Sequence, residues 1–235
     1  MPIKPLAQKT APTSEQSVPL NDNKASIGEY SINEERANTL SHGLGVFGGI
    51  TALFLSINKG YYVLSLLQLS GVILYCLSII LLFLCSTLYH NAKTHYWKRR
   101  FKIADHCAIY TLIAGTYTPL MLISLKGEKA DLVLLTIWLF ALGGIFFKAF
   151  FTGRFKALSL SLYLGMGWLC VTMMSELIAG LSPLGFNLLV AGGLCYTLGV
   201  VFYVIKAIPF NHAIWHLFVL AGATNHFLCI YLTVI

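Results

Sequence analysis

The chain has 235 residues, of which 57% are apolar and only 11% charged, and its mean hydropathy is +0.75. A soluble domain carries roughly 25% charged residues, so composition excludes a soluble fold. The net charge of +7 is carried by residues that punctuate apolar spans, which points to membrane topology and anionic headgroups rather than nucleic acid.

Nine of the 25 charges, from Lys4 to Arg36, fall in the first 36 residues. Residues 1–28 are expected to form a disordered polar tail, and 29–36 a short interfacial helix, ahead of a membrane domain over 37–235. No apolar run of the signal-peptide kind precedes residue 37, so no cleaved signal is expected.

Seven apolar spans follow, at 37–57, 62–90, 103–124, 131–150, 157–178, 185–207 and 211–235. Each reaches or nears the roughly 20 residues a helix needs to cross a bilayer core. The runs are continuously apolar, which does not fit the alternating strands of a membrane barrel. The expected fold is all-α and integral to the cell membrane, with seven transmembrane helices. Pro119 removes a backbone donor and is expected to kink the third. The frequent glycines fit close helix packing. Cys76, Cys85, Cys107, Cys170, Cys195 and Cys229 all sit in apolar runs without a CxxC pair and read as small fillers.

Charge sets the expected orientation. Thirteen basic residues lie in the tail and on the loops of one side, including Lys93, Lys98, Arg99, Arg100 and Lys102. Only Lys59, Lys126 and Lys129 lie on the other. The positive-inside rule predicts a cytosolic N-terminus and an outer C-terminus.

Polar and ionisable residues inside a membrane are costly and are candidates for a site. Here they are few: His42, Ser86, His90, Asp105, Glu176, His212, His216 and His226. The topology brings the end of span 2, the start of span 3 and the start of span 7 to one depth. His90, Asp105, His212 and His216 therefore share a level, with His42 early in span 1. His212 and His216 are four apart and face one way, the spacing of a two-histidine metal pair on a helix. Ser86 and His90 repeat that spacing. Three imidazoles at one depth make a metal site with an open fourth position, the catalytic pattern for zinc, though iron, nickel or copper would also fit. Asp105 would orient a water there or take its proton, and Ser86 would add a hydrogen bond.

The bland readings differ residue by residue. An HxxxH can bond across helices, Asp105 can cap a helix, and Ser86 can bond the carbonyl four residues back. His226 lies roughly 15 Å deeper along its helix than His216 and is expected to make an interhelical hydrogen bond. His95 is expected to be solvated. His106 is expected to point about 100° away from Asp105, toward the interface. Glu176 is expected at a solvated outer end.

Ser86-Thr-Leu-Tyr-His90, Asp105 with Gly115-Thr-Tyr-Thr-Pro119, and His212-Ala-Ile-Trp-His216 with His226 resemble the hemolysin III proteins of bacteria. So does the opening segment, Glu35 to Asn38 followed by Ser41-His42-Gly43. The resemblance covers about residues 29–235. That family stands with the adiponectin and progestin receptors, whose zinc is held by the histidine of SxxxH and both of HxxxH, with the aspartate positioning a water on it. The resemblance therefore implies His90, His212 and His216 as zinc ligands, Asp105 as the water-positioning carboxylate, and Ser86 as the family serine. The receptors' long N-terminal domain is absent, so hormone binding does not carry over. A similar Ser/Asp/His set in the alkaline ceramidases favours, by analogy, a hydrolase of a lipid amide or ester. The alternatives are a non-catalytic receptor or sensor with structural zinc and, last, a cytolytic pore. The expected partners are the bilayer and a lipid or fatty acid ligand, with no nucleic acid.

Overall fold

A computed structural model describes residues 30–151 and 154–235. The expected disordered tail lies outside the described residues. The helices are α1 (Ile32–Gly60), α2 (Leu66–Asn91), α3 (His95–Pro119), α4 (Glu128–Phe151), α5 (Lys156–Trp168), α6 (Met174–Gly180), α7 (Pro183–Val204) and α8 (Asn211–Thr233). A π turn, Leu120–Ser124, extends α3, and a 3₁₀ segment, Leu169–Met173, joins α5 to α6. Together they make seven spans long and apolar enough to cross a membrane, with no strand among the described residues.

α1 starts before the membrane run does. Ser31 accepts from the backbone N–H of Glu34, and the Glu34 side chain accepts from the N–H of Ser31, a reciprocal capping box. Of residues 29–36, expected as a short interfacial helix, 32–36 are instead the first turn of this 29-residue helix. Its inward stripe is made of small or polar residues: Glu35, Asn38, Ser41, His42, Gly45, Gly49, Ala52, Ser56 and Gly60. Its outward face carries Leu40 and Phe47, 70% and 77% exposed. A helix with its large apolar side chains outward is built for hydrocarbon, where close approach rather than hydrophobicity drives association. A Cβ on Gly49 would sit 2.9 Å from Ile80 Cγ1 of α2, which shows how near the two helices come.

α2 and α3 fill the centre, and α1 packs against both α2 and α8. Tyr75, Phe83, Tyr110, Ile137 and Ile230 are fully buried between the spans. α3 begins at His95, so much of the basic segment expected as a loop forms its first two turns. At its other end Pro119, which has no N–H to give the ladder, is followed directly by the π turn, where Leu125 N–H donates to Leu120 O at 2.9 Å, five residues back.

The fifth span is broken where the sequence predicts one continuous helix. The buried Tyr117 hydroxyl of α3 inserts at the break. It accepts from Cys170 N–H at 2.8 Å and donates to Met166 O at 2.8 Å. A side chain in the ladder is a recognised cause of helix bending. Tyr117 is distant in sequence, so span 5 alone carries no sign of it.

Candidate metal centre

His90 lies in the last turn of α2, and His212 and His216 in the first two turns of α8. These helix ends meet beside the start of α1. The ring centroids are 5.1 Å apart for His90 and His212, 5.0 Å for His90 and His216, and 4.5 Å for His212 and His216. One ligand atom from each lies within 4.8 Å of the others, close enough for a single ion. The start of α8 is fixed from two sides. Phe210 takes a left-handed conformation, φ 55°, and its N–H donates to Glu34 Oε1 at 3.2 Å. Asn211 Nδ2 donates to Phe202 O of α7 at 2.7 Å.

α1 supplies what surrounds the rings. His90 Nδ1 is 2.6 Å from Glu35 Oε2, and Lys98 Nζ is 2.6 Å from Glu35 Oε1. A carboxylate only accepts, so His90 carries its proton on Nδ1 and presents a bare Nε2. His216 Nδ1 lies 3.2 Å from the Asn38 carbonyl and 3.2 Å from Ser41 Oγ. The carbonyl can only accept, so His216 too is protonated on Nδ1. Tyr30 stacks on His212 with centroids 4.8 Å apart, and His42 stacks on His216 at 3.5 Å.

The donor set fits a metal. His90 Nε2, His212 Nδ1 and Ser86 Oγ are buried with no hydrogen-bond partner. Orphaned buried polar atoms are rare and expensive. An ion shared by imidazole nitrogens removes the cost for the rings, and an all-imidazole site with an open position suits zinc among other divalent ions.

Asp105, expected as the nearby carboxylate, lines one cavity with His42, His212 and His216 and lies within electrostatic reach of His90 and His216. The cavity measures about 210 Å³ and extends through apolar walls to Leu177 and Phe186. Trp168, Val171 and Val190 line it while 43%, 46% and 38% exposed. It therefore reaches the lipid-facing surface between the fifth and sixth spans. His226 lines it deeper, with Nε2 3.1 Å from Leu189 O, the expected interhelical bond. Ser86 keeps its hydroxyl unpartnered one turn before His90 instead of bonding back to its own helix.

Three placements differ from expectation or were not foreseen. His106 does not turn away from Asp105: its Nδ1 is 3.3 Å from Asp105 Oδ2, and it also lines the cavity. Lys98 is not a solvated loop cation but is buried on Glu35. Glu35 falls in the polar approach to the first span, where the sequence points to no role for it. The signal was present in Ser31-Ile-Asn-Glu34, a capping box that starts the helix early and brings Glu35, Asn38 and His42 onto the face of Gly45 and Gly49. His95 is exposed, as expected, and Glu176 pairs with Lys129 at 2.6 Å at a partly exposed end.

Residues 30–227 match the family described as Haemolysin-III related, a range that includes Glu35, Ser86, His90, Asp105, His212 and His216. The chain belongs to the haemolysin-III family. It is 46% identical over 202 residues to the "Hemolysin-3 homolog" of Bacillus subtilis (strain 168), covering 86% of this chain and 94% of that one. It is 43% identical over 199 residues to "Hemolysin-3" of Bacillus cereus, covering 85% and 91%. A more distant relative is the "Monocyte to macrophage differentiation factor" of Homo sapiens, 35% identical over 170 residues, 67% of this chain and 68% of that one. This haemolysin-III member is a multi-pass protein of the cell membrane, with a histidine cluster at one end of its bundle able to hold a metal ion.

Proposed function

We propose that this haemolysin-III member is a zinc-dependent hydrolase of a lipid amide or ester, with its histidine end toward the cytosol. The observation that supports it best is a juxtaposition. Imidazole nitrogens without partners stand at the polar head of an apolar cavity that also holds a carboxylate and opens to the lipid face. A bound zinc ion would supply Lewis acidity toward a carbonyl oxygen and a water with a pKa of about 7.

The chain's own residues do the rest. His90, His212 and His216 hold the ion. Asp105 accepts the hydrogen bond of an attacking water and takes its proton, a role worth about 10²–10⁴-fold in rate. Ser86 Oγ, buried and free of partners, donates to the water or to the substrate carbonyl. Leu177, Phe186 and Val190 give an acyl chain an apolar lining, and entry from the bilayer spares it a passage through water. The name of the Bacillus cereus relative raises a pore as a rival. Here Tyr75, Phe83, Tyr110 and Ile137 are packed between the spans, and the cavity beside them has apolar walls rather than the polar lining a water-filled pore needs.

Purified protein should contain about one zinc per chain and turn over at least one member of a panel of ceramides, acyl amides and phospholipid esters. Asp105→Asn should keep the zinc, since three histidines and a water complete a tetrahedral ion, and lose about 10²–10⁴-fold in turnover. Wild-type turnover in Asp105→Asn removes its catalytic role. Zinc without any turnover in the wild type hands the site to the receptor or sensor reading. The orientation is checked by a C-terminal reporter that works only outside the membrane. Silence from a well-expressed fusion overturns it.

A further inference from the structure

The first two turns of α1 do more than approach the histidines. Glu34 and Glu35 are consecutive, so they leave the helix about 100° apart. Glu34 reaches forward to Phe210 N–H at the start of α8, which carries His212 and His216. Glu35 reaches across to His90 at the end of α2 and to Lys98 in the first turns of α3. Both Glu35 oxygens are therefore engaged, one on each partner, at 2.6 Å. The His90 side chain is fully buried. Asn38 Nδ2, a donor nitrogen, also lies 3.4 Å from its Nδ1, but the carboxylate at 2.6 Å is the nearer and charged partner and sets the proton on Nδ1.

We propose that Glu35 is a positioning residue of the metal centre: its carboxylate holds His90 in the Nδ1–H form with Nε2 aimed at the ion, and Lys98 holds the carboxylate. This rests on the metal reading of the three histidines. A neutral imidazole offers one lone pair, and the proton on one nitrogen decides which nitrogen can ligate. Without an acceptor at Nδ1, His90 is free to protonate Nε2 and withdraw its lone pair. A carboxylate behind a ligating imidazole also raises its basicity, and such partners are worth 10–100-fold in metal affinity. The rival explanation is that Glu35 merely ties α1 to α2 and α3 through a buried ion pair. That role would leave the tautomer of His90 untouched.

Zinc affinity of the purified full chain can be measured by competition with a chromophoric chelator. Nitrogen-15 histidine spectra of the metal-free protein report the His90 tautomer. Glu35→Leu, which leaves no acceptor at Nδ1, should weaken zinc about 10–100-fold and populate the Nε2–H form of His90. The substitution strands the buried Lys98 charge, so Glu35→Leu/Lys98→Met is made beside it. That pair removes both charges, keeps the bundle folded, and should show the same loss of affinity and the same change in tautomer. Glu35→Asp/Lys98→Met, which restores a carboxylate, should recover part of the affinity. Zinc binding within threefold of wild type in both Leu variants, or an unaltered tautomer, overturns the inference while the metal reading stands. A wild-type chain that binds no zinc overturns the metal reading and the inference with it.

Discussion

The two halves of α1 share one inward stripe and use it in opposite ways. From Gly45 to Gly60 the stripe is Gly, Gly, Ala, Ser and Gly, and its partners are apolar: Phe83 against Gly45, and Ile79 and Ile80 against Gly49. From Glu35 to His42 it is Glu, Asn, Ser and His, and its partners are His90, Lys98 and His216. The helix is one and the same, but the depth, the chemistry and the company change: these apolar contacts are all on α2, whereas the polar partners stand on α2, α3 and α8. Small residues let backbones come close and ask for nothing in return. Buried polar residues must each find a partner, and breaking a buried ion pair by removing one member costs about 3–5 kcal/mol. A membrane helix keeps such a cluster where it serves something else, and the unpartnered His90 Nε2 and His212 Nδ1, in a group able to hold a metal ion, are what the proposed zinc role is built on.

The comparison can be broken most severely at the ligands themselves. His212→Ala/His216→Ala leaves one imidazole of three. Zinc should fall from about one per chain to none, while the helical content stays. Elemental analysis with circular dichroism decides it. Full zinc in the double variant would put the ion elsewhere, and the polar half of α1 would then need another explanation.

The seven spans and the three-histidine centre were legible because both rest on strong local signals. Runs of about 20 apolar residues announce spans. SxxxH and HxxxH announce shared faces. What stayed hidden depended on contacts remote in sequence. The break in span 5 is made by Tyr117, on another helix. The burial of Lys98 follows from Glu35, which sits 63 residues earlier. His106 meets Asp105 although neighbours on a helix diverge, because the two side chains curl toward each other at 3.3 Å. The role of Glu35 had a local signal, the capping box that starts α1 early, but its meaning needed the partner to be seen.

The smallest effect on the site should come from the other half of the stripe, at Gly49. A Cβ there would meet Ile80 Cγ1 at 2.9 Å and Ile79 Cγ2 at 3.1 Å. These branched side chains stand on α2, and Ile80 N lies 3.4 Å from the same point, so the helix backbone limits how far they can yield. Gly49→Leu must therefore push α1 away from α2 or force strained rotamers, a kind of overpacking that costs about 1–3 kcal/mol. The strain enters seven residues, about two turns, below His42 on the same face of the helix, and the end of α1 nearer the site is anchored separately by Glu34 and Glu35. Thermal unfolding of Gly49→Leu should begin at a lower temperature, while the folded fraction binds zinc with wild-type affinity. The same measurements on Glu35→Leu/Lys98→Met should show the reverse: weak zinc in a bundle whose stability has changed little. If Gly49→Leu weakens zinc as much as the Glu35 variant does, the stripe acts as one rigid unit and its two halves are not separable.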